Sequence, residues 1–460
     1  MTVLGRAAEL AGDWLDSLPG RRVGATDDPD AARARFDGPF PEHGTDPEQV
    51  VEELAAAAEP GLIASPGPRY FGFVVGGSLP VAVGADWLVS SWDQNAGLVA
   101  LSPATAAIEG TAGRWALEAL RLPRDATVGF VTGATTGNVV GLAAARHHVL
   151  AEVGWDVEAN GLTGAPPVRV LVGEEVHVSA LGALRLLGFG SERLTRVEVD
   201  ANGAMRPDAL KRALDAGTGP AIVCAQAGNV NTGAVDPLAD IVAAGRAHRA
   251  WVHVDGAFGL WAAASPRFAH LTQGHDGADS WAVDAHKWLN VPYDSALAIV
   301  ARPDAHRAAM SRTASYLRAS TDDPFNFVPE MSRRARGVPV YAALRALGRD
   351  GVADLVERCC GHARRVAEAV RDDPGVEVLN DVVLNQVLLR FSDDDAVTDD
   401  VADRVSREGA AWLGGTTWQG RRAVRVSVSG WMTGTADIDH LVTALRRAHS
   451  AADPRPTQPA

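Results

Sequence analysis

The sequence predicts an α/β protein, a mostly parallel sheet covered on both faces by helices, followed by a smaller α+β domain. Three observations carry this. From about residue 61 to 310, short β-branched runs alternate with alanine-rich segments. Each run leads through a polar loop into a helix, which is the order parallel strands require. Past residue 370 or so, apolar and polar residues alternate instead, as in half-exposed strands. A chain of 460 residues exceeds one ordinary core, so two or three substructures are expected.

In chain order, residues 1–60 read as amphipathic helices broken by Pro, Gly and Asp, with too few apolar residues for a core of their own. Residues 61–310 read as a large domain. Its candidate strands are Ala126–Val131, Val168–Val172, Ala221–Ala225, Trp251–Val254, Ser280–Val283 and Leu297–Val300. In such sheets ligands bind beyond the carboxyl ends of the strands. Residues 311–450 begin with an arginine-rich stretch, Met310–Pro339, then a helix over about Tyr341–Asp372. Strand patterns follow at Val376–Leu379, Gln386–Phe391 and Arg422–Val428. The tail, 451–460, is polar and Pro-rich and reads as disordered.

Composition narrows the function classes. The chain is 47% apolar and 22% charged, the profile of a soluble globular protein. A net charge of −14 argues against nucleic acid or an anionic membrane as a general partner. No apolar stretch is long and charge-free enough to span a bilayer. The first ten residues lack the basic start and apolar core of a signal peptide. Three cysteines, Cys224, Cys359 and Cys360, are too few for a disulfide framework, and the neighbouring pair lacks metal-ligand spacing. His362 reads as helix surface. A reducing compartment, the cytoplasm, is expected.

Only two of the 43 basic residues are lysines, Lys211 and Lys287. Lysine does what arginine does not: it loses its proton and attacks a carbonyl. Lys211 lies in an amphipathic helical pattern, where a solvated charge is the plain reading. Lys287, in Val-Asp-Ala-His-Lys-Trp, follows an apolar strand-like run, and desolvation there favours the neutral amine. Asp255 ends the strand before, in Val-His-Val-Asp-Gly-Ala-Phe-Gly, 32 residues upstream of Lys287. A carboxylate there, followed by small residues such as Ala257, can approach a flat ring edge-on and keep a pyridine nitrogen protonated. The competing reading is a turn or capping aspartate.

Thr-Gly-Ala134-Thr135-Thr-Gly-Asn, between a strand and a helix, exposes backbone N–H groups and hydroxyls suited to a phosphate monoester, although a plain strand–helix turn would look the same. His177, again after a strand, either stacks on an aromatic cofactor or caps the next helix. His286, beside Lys287, either contacts a phosphate or is scaffolding.

Taken together, these motifs resemble the group II pyridoxal phosphate (PLP)-dependent decarboxylases, the family of aromatic-L-amino-acid, histidine and glutamate decarboxylases. The resemblance runs from about Pro68 to about Thr433 and is carried by His-Val-Asp-Gly-Ala, Asp-Ala-His-Lys-Trp, Thr-Gly-Ala-Thr-Thr-Gly-Asn and Gly-Asn-Val-Asn-Thr-Gly-Ala-Val-Asp-Pro. It implies the PLP-dependent transferase fold type I, aspartate-aminotransferase-like, and a homodimer with active sites at the subunit interface. In that case residues 1–60 contact the partner. It further implies that Lys287 forms the Schiff base with PLP, Asp255 pairs with the pyridinium and His177 stacks on the ring. Ala134, Thr135 and His286 then lie on the phosphate side, with Ala257 beside the cofactor.

Tyr316, in Ser-Tyr-Leu 29 residues after Lys287, matches a mobile-loop tyrosine that protonates the substrate carbon once CO₂ has left. A phenylalanine there goes with aldehyde products, so Tyr316 favours simple decarboxylation to the amine. The competing reading is a loop tyrosine that merely packs.

Departures from the family bear on substrate. Phe73-Val-Val-Gly-Gly-Ser and Trp92-Asp-Gln-Asn-Ala-Gly97 are smaller and more polar than the pocket of the aromatic branch, which argues against an aromatic substrate without naming another. Val230 stands where the family often has threonine, leaving Asn229 or Asn231 to supply a polar contact. Arg312, Arg318, Arg333, Arg334 and Arg336 read as a solvated basic loop or as binders of an acidic substrate. The expectation is an L-amino-acid decarboxylase. Its rivals are an aldehyde synthase coupling decarboxylation to oxidative deamination, a retro-aldol carbon–carbon lyase, an aminotransferase, and an inactive interaction protein on the same fold.

Overall fold

A computed structural model describes residues 2–312 and 320–453. Seven strands form the first sheet: β1 (Thr127–Val131), β2 (Arg169–Gly173), β3 (Leu194–Val197), β4 (Ala221–Gln226), β5 (Trp251–Asp255), β6 (Ser280–Asp284) and β7 (Ala296–Val300). Their spatial order is β1-β7-β6-β5-β4-β2-β3. β7 is antiparallel to both β1 and β6, and the remaining pairs are parallel. Every residue of β5, β6 and β7 is buried, which is why these strands read as unbroken apolar runs. The helix Ala134–Ala151 covers one face with Val140, Leu142, Ala144 and Leu150.

A second, four-stranded sheet contains β8 (Glu377–Val378), β9 (Gln386–Arg390), β10 (Gly414–Trp418) and β11 (Arg421–Ser427), in the order β10-β11-β9-β8, all antiparallel. The helix Gly337–Val370 runs between the two sheets in sequence and breaks at Gly348, whose φ of 62° suits a residue without Cβ. The final helix, Thr435–Ala452, extends two residues into the segment read as tail.

Two strands escaped the sequence reading. β3 is an edge strand with Thr195 and Arg196 exposed, and β10, Gly-Gly-Thr-Thr-Trp, starts on two glycines. His362 is also corrected. It is only 9% exposed, on the stripe of its helix that buries Cys359, Ala363 and Val366. Among the described residues, no helix is long and apolar enough to cross a membrane, and no group of His, Cys, Asp and Glu could hold a metal ion.

Candidate active site

Two adjacent parallel strands deliver the central residues. β5 ends in Asp255 and β6 ends in Asp284, with Asp255 in register with Ala282. The turn after β6 carries His286 and Lys287. Lys287 Nζ lies 2.8 Å from Asp284 Oδ2, and Asp284 is 2% exposed. A buried carboxylate at this distance fixes where the amine sits. Asp284 Oδ1 also accepts from the Ala134 N–H at 2.6 Å, which ties the Lys287 turn to the start of the helix Ala134–Ala151. That helix start has no side-chain cap, while Thr135 is exposed beside it.

Asp255 is 5% exposed and has no ion pair among the described residues. Its Oδ1 accepts from the Ala257 N–H at 3.3 Å, and its Oδ2 from Asn138 Nδ2 at 3.0 Å. Ser179 Oγ lies 3.4 Å from the same oxygen and 2.7 Å from His177 Nδ1. His177 caps the helix Val178–Leu186 through the Ser179 N–H, so the capping reading holds. Burial favours its neutral form. His286 is likewise pushed toward the neutral form by burial, takes a hydrogen bond from the Ser295 N–H at 3.2 Å, and stacks on Tyr293 at 4.2 Å. Tyr316 and Arg318 lie outside the described residues.

Asn290 holds the lysine turn against two remote segments. Its Oδ1 accepts from the N–H groups of Gly77 and Trp431, and its Nδ2 donates to the carbonyls of Trp288 and Ser429. A Cβ on Gly76 would sit 1.8 Å from the Lys287 carbonyl oxygen, and one on Gly97 2.0 Å from that of Met331. Those two glycines are set by close backbone approach, so their small size says nothing about room for substrate. The segment Trp92–Gly97 packs on residues 331–333 through the Ala96 N–H and Arg333 carbonyl.

The described arginines of the arginine-rich stretch are engaged internally. Arg333 makes a bidentate pair with Glu109, both fully packed, while Arg334 pairs with Asp86 and Arg336 with Asp294. Arg312 donates to the Pro329 carbonyl. Among the described residues, a buried cation near the site without an acid partner is Arg425 of β11, which sequence reasoning did not single out. It is 8% exposed, its Nε has no partner, and its Nη1 reaches only Asn231 Oδ1 at 3.4 Å. Burial pulls its pKa down to about 10. The His177 ring senses Asp255, Lys287, Arg425 and Asp284 together. Near Val230, Asn229 Nδ2 is buried and unpartnered, whereas Asn231 Oδ1 also accepts from Thr416.

Comparison with known proteins gives the family and the fold. The chain is 26% identical over 413 residues to an aromatic-L-amino-acid decarboxylase of Bacillus atrophaeus, covering 88% of this chain and 84% of the relative. It is 25% identical over 422 residues to a 4-hydroxyphenylacetaldehyde synthase of Rhodiola rosea, covering 87% and 85%. Its fold matches that of Oryza sativa TDC, solved with PLP and tryptamine, at a TM-score of 0.91 and 22% identity over 98% of this chain and 97% of that one. The conserved domain of pyridoxal-dependent decarboxylases matches residues 29–392. A match over most of the chain places it: the protein belongs to the pyridoxal-dependent decarboxylase family, enzymes whose cofactor is PLP and whose fold is type I.

Proposed function

We propose that the protein decarboxylates an L-amino acid to the corresponding amine and CO₂, with Lys287 as the Schiff-base residue. The observation that carries this is the placing of Lys287 Nζ 2.8 Å from buried Asp284, at the end of the strand beside the one that ends in Asp255. The residues suit PLP. Lys287 offers an amine to its carbonyl carbon, and Asp255 is a buried carboxylate without a cation of its own. Thr135, His286 and the helix start at Ala134, whose first N–H is held by Asp284, would lie on its phosphate side, and His177 and Ala257 beside its ring. When bound, PLP supplies an electron-poor ring that accepts the electron pair left as CO₂ departs.

The chain's own residues do the rest. Asp255 would hold the pyridine nitrogen of bound PLP by accepting its hydrogen bond, and Asp284 orients the Lys287 amine. Arg425, lacking an internal acid, orients a substrate carboxylate. Tyr316 delivers the proton to the substrate carbon. The Rhodiola relative, named an aldehyde synthase, keeps aldehyde formation as the second reading.

Residues 1–60 support a homodimer. None of the helices Val3–Ser17, Pro29–Phe36 and Pro47–Ala58 buries a residue, and Leu4, Phe36, Phe40 and Leu54 are exposed. Trp87, Leu88 and Trp92 are likewise exposed, on the helix Pro80–Trp92. Light scattering should give twice the 48.2 kDa chain mass. We also read the three buried, free cysteines as those of a cytoplasmic enzyme.

The test is a panel of amino acids with CO₂, amine, aldehyde and peroxide all measured. Lys287→Ala should lose both the absorbance band of covalently held PLP and all CO₂ release. Survival of both would sink the assignment.

A further inference from the structure

Behind Asp255 lies a chain of buried polar groups that the mechanism above does not use. Trp251 Nε1 donates to Ser280 Oγ at 2.8 Å. Ser280 Oγ lies 2.8 Å from His253 Nδ1, and His253 Nε2 lies 2.9 Å from Asn138 Oδ1. Asn138 Nδ2 then donates to Asp255 Oδ2 at 3.0 Å. Ser280, His253 and Asn138 are 0% exposed and Trp251 is 1%. Two neighbouring strands and the covering helix supply the groups, so the chain exists only in the assembled fold.

Its polarity is set at the carboxylate, which only accepts. Asn138 therefore turns its N–H₂ group to Asp255 and its Oδ1 to His253 Nε2, which carries the single proton of the neutral imidazole. His253 Nδ1 accepts from the Ser280 hydroxyl, and Ser280 Oγ accepts from the Trp251 indole N–H, which only donates. Burial keeps the imidazole neutral by pushing His253 down to about 4. An amide in the path does not relay protons, so the chain is a row of aligned dipoles ending on one carboxylate. Gly141 makes room for it, since a Cβ there would sit 2.7 Å from His253 Cε1.

We propose that Asn138 and His253 are positioning residues for Asp255: the dipole chain from Trp251 holds that carboxylate in the orientation that keeps the pyridine nitrogen of PLP protonated. This rests on the reading of Asp255 as the pyridine partner. The other titratable groups about Asp255 are His177, Cys224 of β4 (a thiol pushed up to about 12), and, on the far side of His177, Lys287, Asp284 and Arg425. The proposal has a non-local consequence. Removing the Ser280 hydroxyl leaves His253 Nδ1 without its donor and detaches the imidazole and the Asn138 amide from Trp251, so the dipoles behind the Asp255 carboxylate lose their alignment.

The experiment uses the holoenzyme reconstituted with PLP labelled with ¹⁵N at the pyridine nitrogen. The nitrogen shift is read by NMR from about pH 6 to about pH 9, with PLP stoichiometry measured alongside. The wild type should stay protonated throughout. Ser280→Ala and Asn138→Leu should still bind PLP, with the pyridine pKa lowered by about one unit or more, at least tenfold in proton affinity. Their kcat should fall with KM little changed. Should Asn138→Leu fail to fold, Ser280→Ala, which deletes a single oxygen, decides alone. A Ser280→Ala holoenzyme whose nitrogen titrates like the wild type overturns the proposal, whatever its kcat. Asp255→Ala separates the two readings. If it too leaves the nitrogen protonated, the role of Asp255 itself fails. If it alone shifts the nitrogen, only the chain's role fails.

Discussion

Two buried arginines stand in opposite situations. Arg333 is wrapped by Glu109 in a bidentate pair and also donates to the carbonyls of Ala96 and Phe130. Arg425 is as deeply placed, yet among the described residues it meets no carboxylate; its Nε, like that of Arg333, has no partner. A buried charge left without a counterion is costly, and a fold keeps it where something brings the counterion. The pair teaches how to sort the charges of this chain. A cation matched internally serves the architecture, and one left open is the candidate to meet a substrate carboxylate.

The comparison breaks most sharply at Arg425. Arg425→Gln should lower kcat/KM by about a hundredfold or more while leaving the melting temperature within a few degrees. An unchanged kcat/KM would mean that no substrate group meets this guanidinium. Glu109→Ala is the reverse experiment. It strands Arg333, so denaturant titration should show a loss of about 3–5 kcal/mol, with kcat per folded molecule retained.

A smaller effect comes from buried groups that are matched but neutral. His253 is held at about 4 and His306 at about 3 by burial, and each ring has both nitrogens hydrogen-bonded. Both values lie below the ordinary 6.5, so the unfolded chain takes up protons first as pH falls. Their contribution is complete above pH 6.5 and is lost as pH drops toward 4. For His253 the gap is worth about 3 kcal/mol. Chemical denaturation at a series of pH values should show stability falling across that window, and a flat profile would refute the assignment.

The parts legible in sequence were those whose chemistry is local. β5 and β6 announced themselves as apolar runs, and Asp255 and Lys287 were readable because each follows such a run directly. The scarcity of lysine helped, and so did the family's own motifs. Asp284 was within the quoted motif but carried no signal of its own, because its partners, the Ala134 N–H and Lys287 Nζ, emerge only in three dimensions. Asn138 lies 117 residues from the carboxylate it supports. Arg425 was hidden among 41 arginines, since what marks it is the lack of an acid nearby, a property of the fold. The arginine-rich stretch misled for the same reason, because its ion-pair partners Asp86, Glu109 and Asp294 are scattered along the chain. Glycines in the pocket segments looked like space and turned out to be backbone contacts.

Asn290 has a consequence in time. One amide side chain reaches the Lys287 turn, Gly77 and the stretch Ser429–Trp431, so the turn is secured only after residue 431 has been made and docked. On the ribosome, the strands bearing Asp255 and Lys287 are synthesised long before that. Until residue 431 docks, the Lys287 turn has its nearby partner Asp284 but not the cross-links that Asn290 makes.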